Sequence, residues 1–193
     1  LGGGAPRELL EHGQEADWAP DGKGLLVVRE VGGRYRIEYP VGKVLYESGG
    51  WISLARLSPR GDQIAFIDHP QRGDNVGSLC IVDLSGNKET LSRKKTVLSE
   101  RGATGVAWSP DGSEVWGSGG GTLFAVSRSG SERILARVPG GTWLLDVSRT
   151  GRALLSLVNL RRETGGRAPG DSDAPHLSWV DRAFPPATPA VTR

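Results

Sequence analysis

The side chains that could carry out chemistry are few in this sequence and lie far apart. Three histidines, His12, His69 and His176, stand without cysteine partners around them, which disfavours a metal site built from them. Asp171 and Asp173 are spaced like the first ligands of a calcium loop, but the later ligands and the turn glycine of such a loop are missing. We interpret these aspartates as part of a polar surface loop.

Catalytic motifs are equally sparse. Ser92 and Lys95 match a Ser-x-x-Lys pattern that is common by chance, and the companion elements of that motif are absent. The sequence contains no glycine-rich nucleotide loop with a strand lysine, no His-Arg-Asp or Asp-Phe-Gly motif, no Gly-x-Ser-x-Gly elbow and no P-loop. The sequence therefore predicts a chain that is not an enzyme, with no catalytic residues, metal or cofactor.

Composition argues against several other kinds of partner. The 24 basic and 22 acidic side chains give a net charge of +2, so no nucleic-acid footprint is expected, and the basic run Arg93–Lys95 is interpreted as a solvated loop. No apolar run is long enough to cross a bilayer, so this segment is expected to make no membrane contact of its own. The single cysteine, Cys80, lies in an apolar run typical of a buried thiol. The absence of methionine favours an internal piece of a longer protein.

The elements that would position any binding residue occur in four similar copies. Each copy has a hydrophobic strand end followed by a turn of the type Ser/Ala-Pro-Asp-Gly, and the proline column falls at positions 20, 59, 110 and 149. These positions are 39, 51 and 39 residues apart, a period near 40 with one insertion that is typical of propeller blades. The residues of the repeated turns are Trp18, Pro20, Asp21 and Gly22; Leu57, Pro59 and Gly61; Trp108, Pro110, Asp111 and Gly112; and Val147 and Gly151.

The chemistry of the turns and the strands around them predicts the fold class. Proline presets φ at the first turn position, aspartate can accept a hydrogen bond from the backbone that follows it, and glycine adopts φ > 0 without strain. Apolar and β-branched runs of strand length follow each turn. We therefore predict an all-β chain of about four four-stranded blades, an incomplete part of a larger propeller, with the strand-end tryptophans packed between adjacent sheets.

The repeats also predict the organisation of the chain. Residues 1–11 are a lead-in, and residues 12–160 hold blades at about 12–50, 51–100, 101–141 and from 142 onward. The fourth strand of the second blade is placed near Thr96–Leu98. Residues 161–193 are interpreted as a degenerate last blade, with one strand at 176–180, and a disordered proline-rich tail.

The repeated turn resembles the WD40-like, or PD40, β-propeller repeats of the TolB type over roughly residues 12–160. Two stretches, residues 13–22 and 39–47, more narrowly resemble the propeller region of bacterial receptor-type serine/threonine protein kinases. The fourth copy departs from the pattern because it has Arg149 and Thr150 in place of proline and aspartate. Four copies are also fewer than the about six blades usual in this group.

The resemblance implies a role in binding rather than in catalysis. In such kinases the propeller lies outside the membrane, so this chain is expected to be a non-catalytic sensor or protein-binding region on the extracytoplasmic side of a bacterial membrane protein. Two alternatives stay open: an accessory propeller of a peptidase or Tol-type periplasmic complex, and a propeller hydrolase with an active site in its channel. The expected partner is a protein or peptide, and the sequence does not determine the oligomeric state.

The binding residues are expected in loops at one end of the sheets. In an up-and-down meander, the loop between the second and third strands and the link to the next sheet share that end. The longest of these loops runs from His69 to Gly77. Its candidate contact residues are His69, Gln71, Arg72, Asp74 and Asn75.

Overall fold

The computed structural model describes residues 10–91, 102–138 and 140–158, together with Ala5. Residues 1–157 form one compact unit, and Val158 is the only described residue of a second unit, residues 158–193. Most of the predicted lead-in, the basic run 93–95, the predicted strands at 96–98 and 176–180 and the tail 161–193 lie outside the described residues. Within those ranges, no helix is long and apolar enough to span a membrane.

The regular elements of these ranges are fourteen β-strands arranged in four antiparallel sheets. Sheets 1, 2 and 3 each have four strands in sequential order, and sheet 4 has two. The strands of sheets 1 and 2 are β1 Gly13–Trp18, β2 Leu25–Val31, β3 Arg34–Glu38, β4 Val44–Ser48, β5 Trp51–Leu57, β6 Gln63–His69, β7 Ser78–Asp83 and β8 Lys88–Thr90. Those of sheets 3 and 4 are β9 Gly105–Trp108, β10 Glu114–Gly119, β11 Thr122–Ser127, β12 Glu132–Arg137, β13 Gly141–Val147 and β14 Ala153–Val158.

The predicted meander of strand, tight turn and strand is present in every copy. In the third turn, Gly112 N donates to Ser109 O at 2.9 Å, and Ser113 N donates to Asp111 Oδ1 at 3.0 Å. The glycines of the four turns have φ between 70° and 79°, a region that only glycine enters without strain. The turn residues therefore have the conformations that their types predicted, including in the fourth copy, where the proline and aspartate are replaced.

Sheet 2 is buried on both faces, which explains the continuous apolar sequence of its central strands. Along β6, Ile64 and Phe66 belong to the cluster shared with sheet 1, whereas Ala65 and Ile67 belong to the cluster shared with sheet 3. Successive side chains of a strand point to opposite faces, so a strand with two buried faces has no polar alternation. Cys80 lies buried in the first of these clusters, as its apolar surroundings predicted.

The inner edge of the stack consists of the first strand of each sheet. Strand β1 contacts β5, β5 contacts β9, and β9 contacts β13. Arg56 of β5 connects them, since its guanidinium donates to Val106 O at 3.4 Å and Leu145 O at 3.1 Å and lies 3.6 Å from Asp17 Oδ1. The sequence offered no signal for this arrangement, because the contacts of Arg56 join residues far apart in the chain.

The structure corrects two details of the sequence prediction. Trp108 packs between sheets 2 and 3 as expected, but Trp18 is 62% exposed because no described sheet covers its side of sheet 1. The fourth strand of sheet 2 is Lys88–Thr90, which follows a tight turn at Gly86 immediately after β7. The longer repeat spacing is therefore shared between the β6–β7 loop, residues 70–77, and the link between β8 and β9.

Candidate functional site

One end of the stack carries loops of very different length. The β2–β3 loop consists of Gly32 and Gly33, and the β10–β11 loop consists of Gly120 and Gly121, all with positive φ as two-residue hairpins of this kind require. The β6–β7 loop is longer and runs from Pro70 to Gly77. Pro70 to Val76 are all exposed, so most of this loop is accessible to solvent. We call this end of the stack the loop face.

His69 forms the buried base of the long loop. Its ring stacks on Trp51, with the ring centroids 3.7 Å apart and the planes 10° apart. Nε2 lies 2.8 Å from Ser53 Oγ, and Nδ1 lies 3.2 Å from Val76 O. Because a carbonyl can only accept, Nδ1 carries the proton that donates to Val76, and in the neutral ring Nε2 accepts from the Ser53 hydroxyl. The ring therefore closes the loop onto β5.

Burial also affects the protonation of His69. It lowers the pKa of the imidazole below its usual value, although the bond to Val76 O and the nearby charges of Asp68 and Asp74 oppose the effect. A neutral ring fits these contacts, because Nε2 can then accept from the Ser53 hydroxyl while Nδ1 donates to Val76 O. His69 was predicted to contact a partner, but it is only 2% exposed, so it supports the loop from below instead.

Two glycines allow the chain to approach this histidine closely. A side chain at Gly77 would lie 2.8 Å from His69 Nδ1, and one at Gly50 would collide with the backbone of His69 and Pro70. Real Cβ atoms are essentially never found under 3.0 Å from such neighbours. Glycine at both positions is therefore a requirement of packing, since a side chain there would meet backbone atoms, the buried His69 ring or the buried side chain of Ile67.

The upper part of the loop is held by four further hydrogen bonds. Trp51 Nε1 donates to Asp74 O at 3.0 Å, and Asp74 Oδ1 accepts from Val76 N at 2.9 Å. Arg72 reaches sheet 1, where it donates to Glu30 Oε1 at 2.9 Å and Gly33 O at 2.6 Å. The loop therefore bridges two sheets and has a defined conformation before any partner arrives.

The predicted contact residues thus separate into supporting and presented groups. The side chains of Gln71 and Asn75 are exposed and make no hydrogen bond within the described part of the chain. Arg72 and Asp74 are exposed as well, but each already has a partner within the protein. Asn75 lies close to the link between sheets 2 and 3, since a side chain at Gly102 in that link would be 2.9 Å from Asn75 O.

A polar cluster beneath the loop fastens sheet 2 to sheet 1. Asp68 Oδ2 accepts from Tyr46 OH at 2.7 Å and from Lys88 Nζ, and Asp68 Oδ1 accepts from Ser48 Oγ at 2.7 Å. Burial alone would raise the pKa of Asp68, but these three hydrogen bonds lower it below its usual value. The cluster is fully paired and therefore stabilises the base of the loop face without offering a free reactive group.

The opposite end of the stack carries the repeated turns, and we call it the turn face. A polar cleft of about 270 Å³ lies there between the turns of sheets 2 and 3; its lining residues are Ser58, Arg60, Asp62, Gln63, Asp111, Gly112, Ser113 and Arg128. Its two aspartates accept hydrogen bonds from neighbouring serines, and Arg128 donates to Gln63. Within the residues described, no group of three or more His, Cys, Asp and Glu side chains could hold a metal ion.

The fold defines the class of protein. Sequential four-stranded antiparallel sheets that pack face to face, with their first strands in mutual contact, are the blades of a β-propeller. Solved structures agree with this class, although no family model and no curated protein matches the chain.

The chain is similar to TolB from Acinetobacter baumannii, with 18% identity over 85% of this chain and 40% of that one, and a TM-score of 0.61. It is also similar to a putative TolB from Agrobacterium tumefaciens, with 20% identity over 74% of this chain and 56% of that one, and a TM-score of 0.50. A β-propeller domain from Myceliophteria thermophila matches with 17% identity over 76% of this chain and 54% of that one, and a TM-score of 0.48. The two TolB matches agree with a TolB-like propeller fold, and the chain spans 40% and 56% of the length of those two proteins.

Proposed function

We propose that this chain is a non-catalytic protein- or peptide-binding part of a β-propeller, and that it binds through the loop face. The observation that carries the proposal is the long β6–β7 loop, which is exposed from Pro70 to Val76 and anchored from below by His69. Loops on a rigid scaffold commonly carry binding, because the scaffold holds their conformation at little entropic cost. Gln71 and Asn75 are the polar side chains available for direct contact.

The hydrogen bonds of the titratable side chains around this loop support a role in binding over one in catalysis. At the base of the loop, His69 and Asp68 are engaged in hydrogen bonds that serve the fold. Within the loop, Arg72 and Asp74 are paired inside the protein. An active site would instead need convergent groups that are accessible to a substrate. We therefore assign the loop face to recognition.

Peptide display would test this assignment. Peptides selected from a random library against the immobilised chain are measured again with a Q71A/N75A variant and with R60A, which removes an exposed side chain from the turn face. We expect the selected peptides to lose affinity about tenfold or more for the loop variant, since two polar contacts are removed, and to bind R60A as before. If the peptides bind Q71A/N75A with unchanged affinity and bind R60A more weakly, binding lies on the turn face and the proposal is refuted.

We further propose that the chain is the sensor region of a bacterial membrane-anchored serine/threonine kinase. The support is the resemblance of residues 13–22 and 39–47 to such propeller regions. The coding sequence that adjoins this segment tests it directly. A kinase domain followed by a membrane segment would support the proposal, whereas a peptidase domain in that place would refute it and leave the binding role of the loop face intact.

A further inference from the structure

The first strand of sheet 2, β5, contains a bulge near its middle. The register of β5 against β6 shifts between Ser53 and Arg56, so Leu54 and Ala55 together lie opposite the single residue Phe66. Leu54 has a φ of 58°, a left-handed conformation that is costly for a bulky side chain and persists only where the surroundings hold it. The bulge therefore needs contacts from outside its own strand.

Glu15 of β1 supplies these contacts from the neighbouring sheet. Leu54 N donates to Glu15 Oε1 at 2.9 Å, and Ala55 N donates to Glu15 Oε2 at 3.0 Å. Successive backbone N–H groups that converge on one anion in this way form a nest, which is an anion-binding feature of the backbone. One carboxylate on sheet 1 therefore holds two consecutive N–H groups of the bulge in sheet 2.

The bulge lies directly beside the base of the loop face. Ser53 immediately precedes Leu54, and its Oγ lies 2.8 Å from His69 Nε2. Trp51, two residues before Ser53, stacks on the His69 ring and donates its indole N–H to Asp74 O at 3.0 Å. Because these residues share one short stretch of backbone, the position of the bulge determines where the Ser53 hydroxyl and the Trp51 ring meet the histidine.

Sheet 3 shows the equivalent strand without a bulge. Gly105, three residues before Trp108, takes the place that Leu54 holds three residues before Leu57. Strand β9 pairs with β10 without a register shift, and the loop between β10 and β11 is a two-residue hairpin. Of these two sheets, the one with the bulged first strand also carries the long loop, which agrees with a role of the bulge in supporting that loop.

We propose that Glu15 is a positioning residue for the loop face, because its carboxylate fixes the β5 bulge and, through Ser53, the conformation of the β6–β7 loop. The nest at Leu54 and Ala55 is thus a carboxylate-binding site of sheet 2 that sheet 1 fills. Loss of the carboxylate would leave two N–H groups unpaired and Leu54 in a costly conformation, so the bulge would relax and displace Ser53. The inference concerns the conformation of the loop and rests on the proposed function only in its consequence for partner binding.

The test compares two carboxylates of β1 in the full chain. Glu15→Ala empties the nest, whereas the matched control Asp17→Ala removes the carboxylate that accepts from Leu57 N at 2.8 Å, beyond the bulge. The measurement is solvent exchange of the Trp51 indole N–H by NMR, with its signal assigned from Trp51→Phe. We expect exchange about fivefold faster or more in Glu15→Ala, as weakening of about one hydrogen bond gives, and an unchanged rate in Asp17→Ala. No peptide is present, so the result is independent of whether the loop face binds one.

Rescue by formate separates the positioning role from a general loss of packing. Formate is a small carboxylate, so it should enter the emptied nest of Glu15→Ala and return the exchange rate toward that of the wild type, whereas chloride at the same ionic strength should not. If Glu15→Ala does not fold, as circular dichroism would show, Glu15→Gln and Asp17→Asn make the same comparison of exchange rates. Equal rates in the paired variants, or equal effects of formate and chloride on folded Glu15→Ala, would overturn the proposal.

Discussion

Trp108 and Trp18 occupy the same position of the repeat and have opposite environments. Both end the first strand of a sheet directly before a Pro-Asp-Gly turn, yet Trp108 is buried between sheets and Trp18 is exposed. The local sequence determines the turn and the direction of the side chain. The presence of a neighbouring sheet determines whether that side chain contributes packing energy, so the same residue stabilises one region and leaves another open.

The largest effect is expected at the tryptophans themselves. Trp108→Ala should lower the free energy of unfolding by about 3–5 kcal/mol, because it removes a buried aromatic side chain and leaves a cavity. Trp18→Ala should change it by about 0.5 kcal/mol or less, because the Trp18 side chain is already largely exposed. Chemical denaturation followed by circular dichroism measures both. Equal effects of the two substitutions would remove the distinction between closed and open faces.

A second pair of residues, Gly105 and Gly13, tests how closely the backbone is packed in the same two regions. A side chain at Gly105 on β9 would lie 2.7 Å from Leu144 N and overlap other backbone atoms of Leu144, whereas one at Gly13 on β1 would meet nothing within 4 Å. Gly105→Ala should therefore cost about 1–3 kcal/mol, as overpacking of a core does.

Gly13→Ala is the control for the loss of glycine flexibility, and it should change the free energy of unfolding by about 0.5 kcal/mol or less. Thermal unfolding of both variants is sufficient to compare them. If Gly105→Ala were as mild as Gly13→Ala, the first strands of sheets 3 and 4 would not be packed as closely as described.

The smallest effect is expected for a third pair of residues, His69 and His12, and concerns how the free energy of unfolding depends on pH. Because burial lowers the pKa of His69, the unfolded chain binds a proton at this residue near pH 6.5 while the folded chain does not. Stability should therefore fall as pH decreases below 6.5, by at most about 1.4 kcal/mol per pH unit for one proton, until the lower folded pKa is reached. His69→Gln should flatten the dependence of stability on pH between about 5 and 7.

His12→Gln serves as the control, since His12 is exposed at the start of the described chain. The free energy of unfolding, measured at several pH values for the three proteins, gives the slopes directly. A slope that stays the same in His69→Gln would mean that the imidazole titrates equally in the folded and unfolded chain. His69 would then not be buried at the base of the loop as described.

The repeat made much of this fold predictable. The turn at Pro110, Asp111 and Gly112 specifies its own geometry, and the apolar run of β6 indicates a strand with two buried faces. The long β6–β7 loop was also visible in the sequence as a polar interruption between two apolar runs. These features are local, and local chemistry is what a sequence shows.

The site was predictable only in part. The loop itself was identified, but the burial of His69 was missed, because its stacking on Trp51 and its bond to Ser53 involve residues 18 and 16 positions away in the chain. Arg72 was expected at a binding surface and is engaged by Glu30 of another sheet. Whether a polar side chain supports a loop or is presented by it depends on such distant partners.

The turns, most of the strands, the blade period and the class of fold follow from the conformational preferences of short segments, so the sequence predicts them. The packing of the sheets settles which faces are closed, which of two equivalent tryptophans is buried and which loop side chains are available to a partner. These features depend on burial and hydrogen bonds between residues far apart in the chain, and no local pattern shows them.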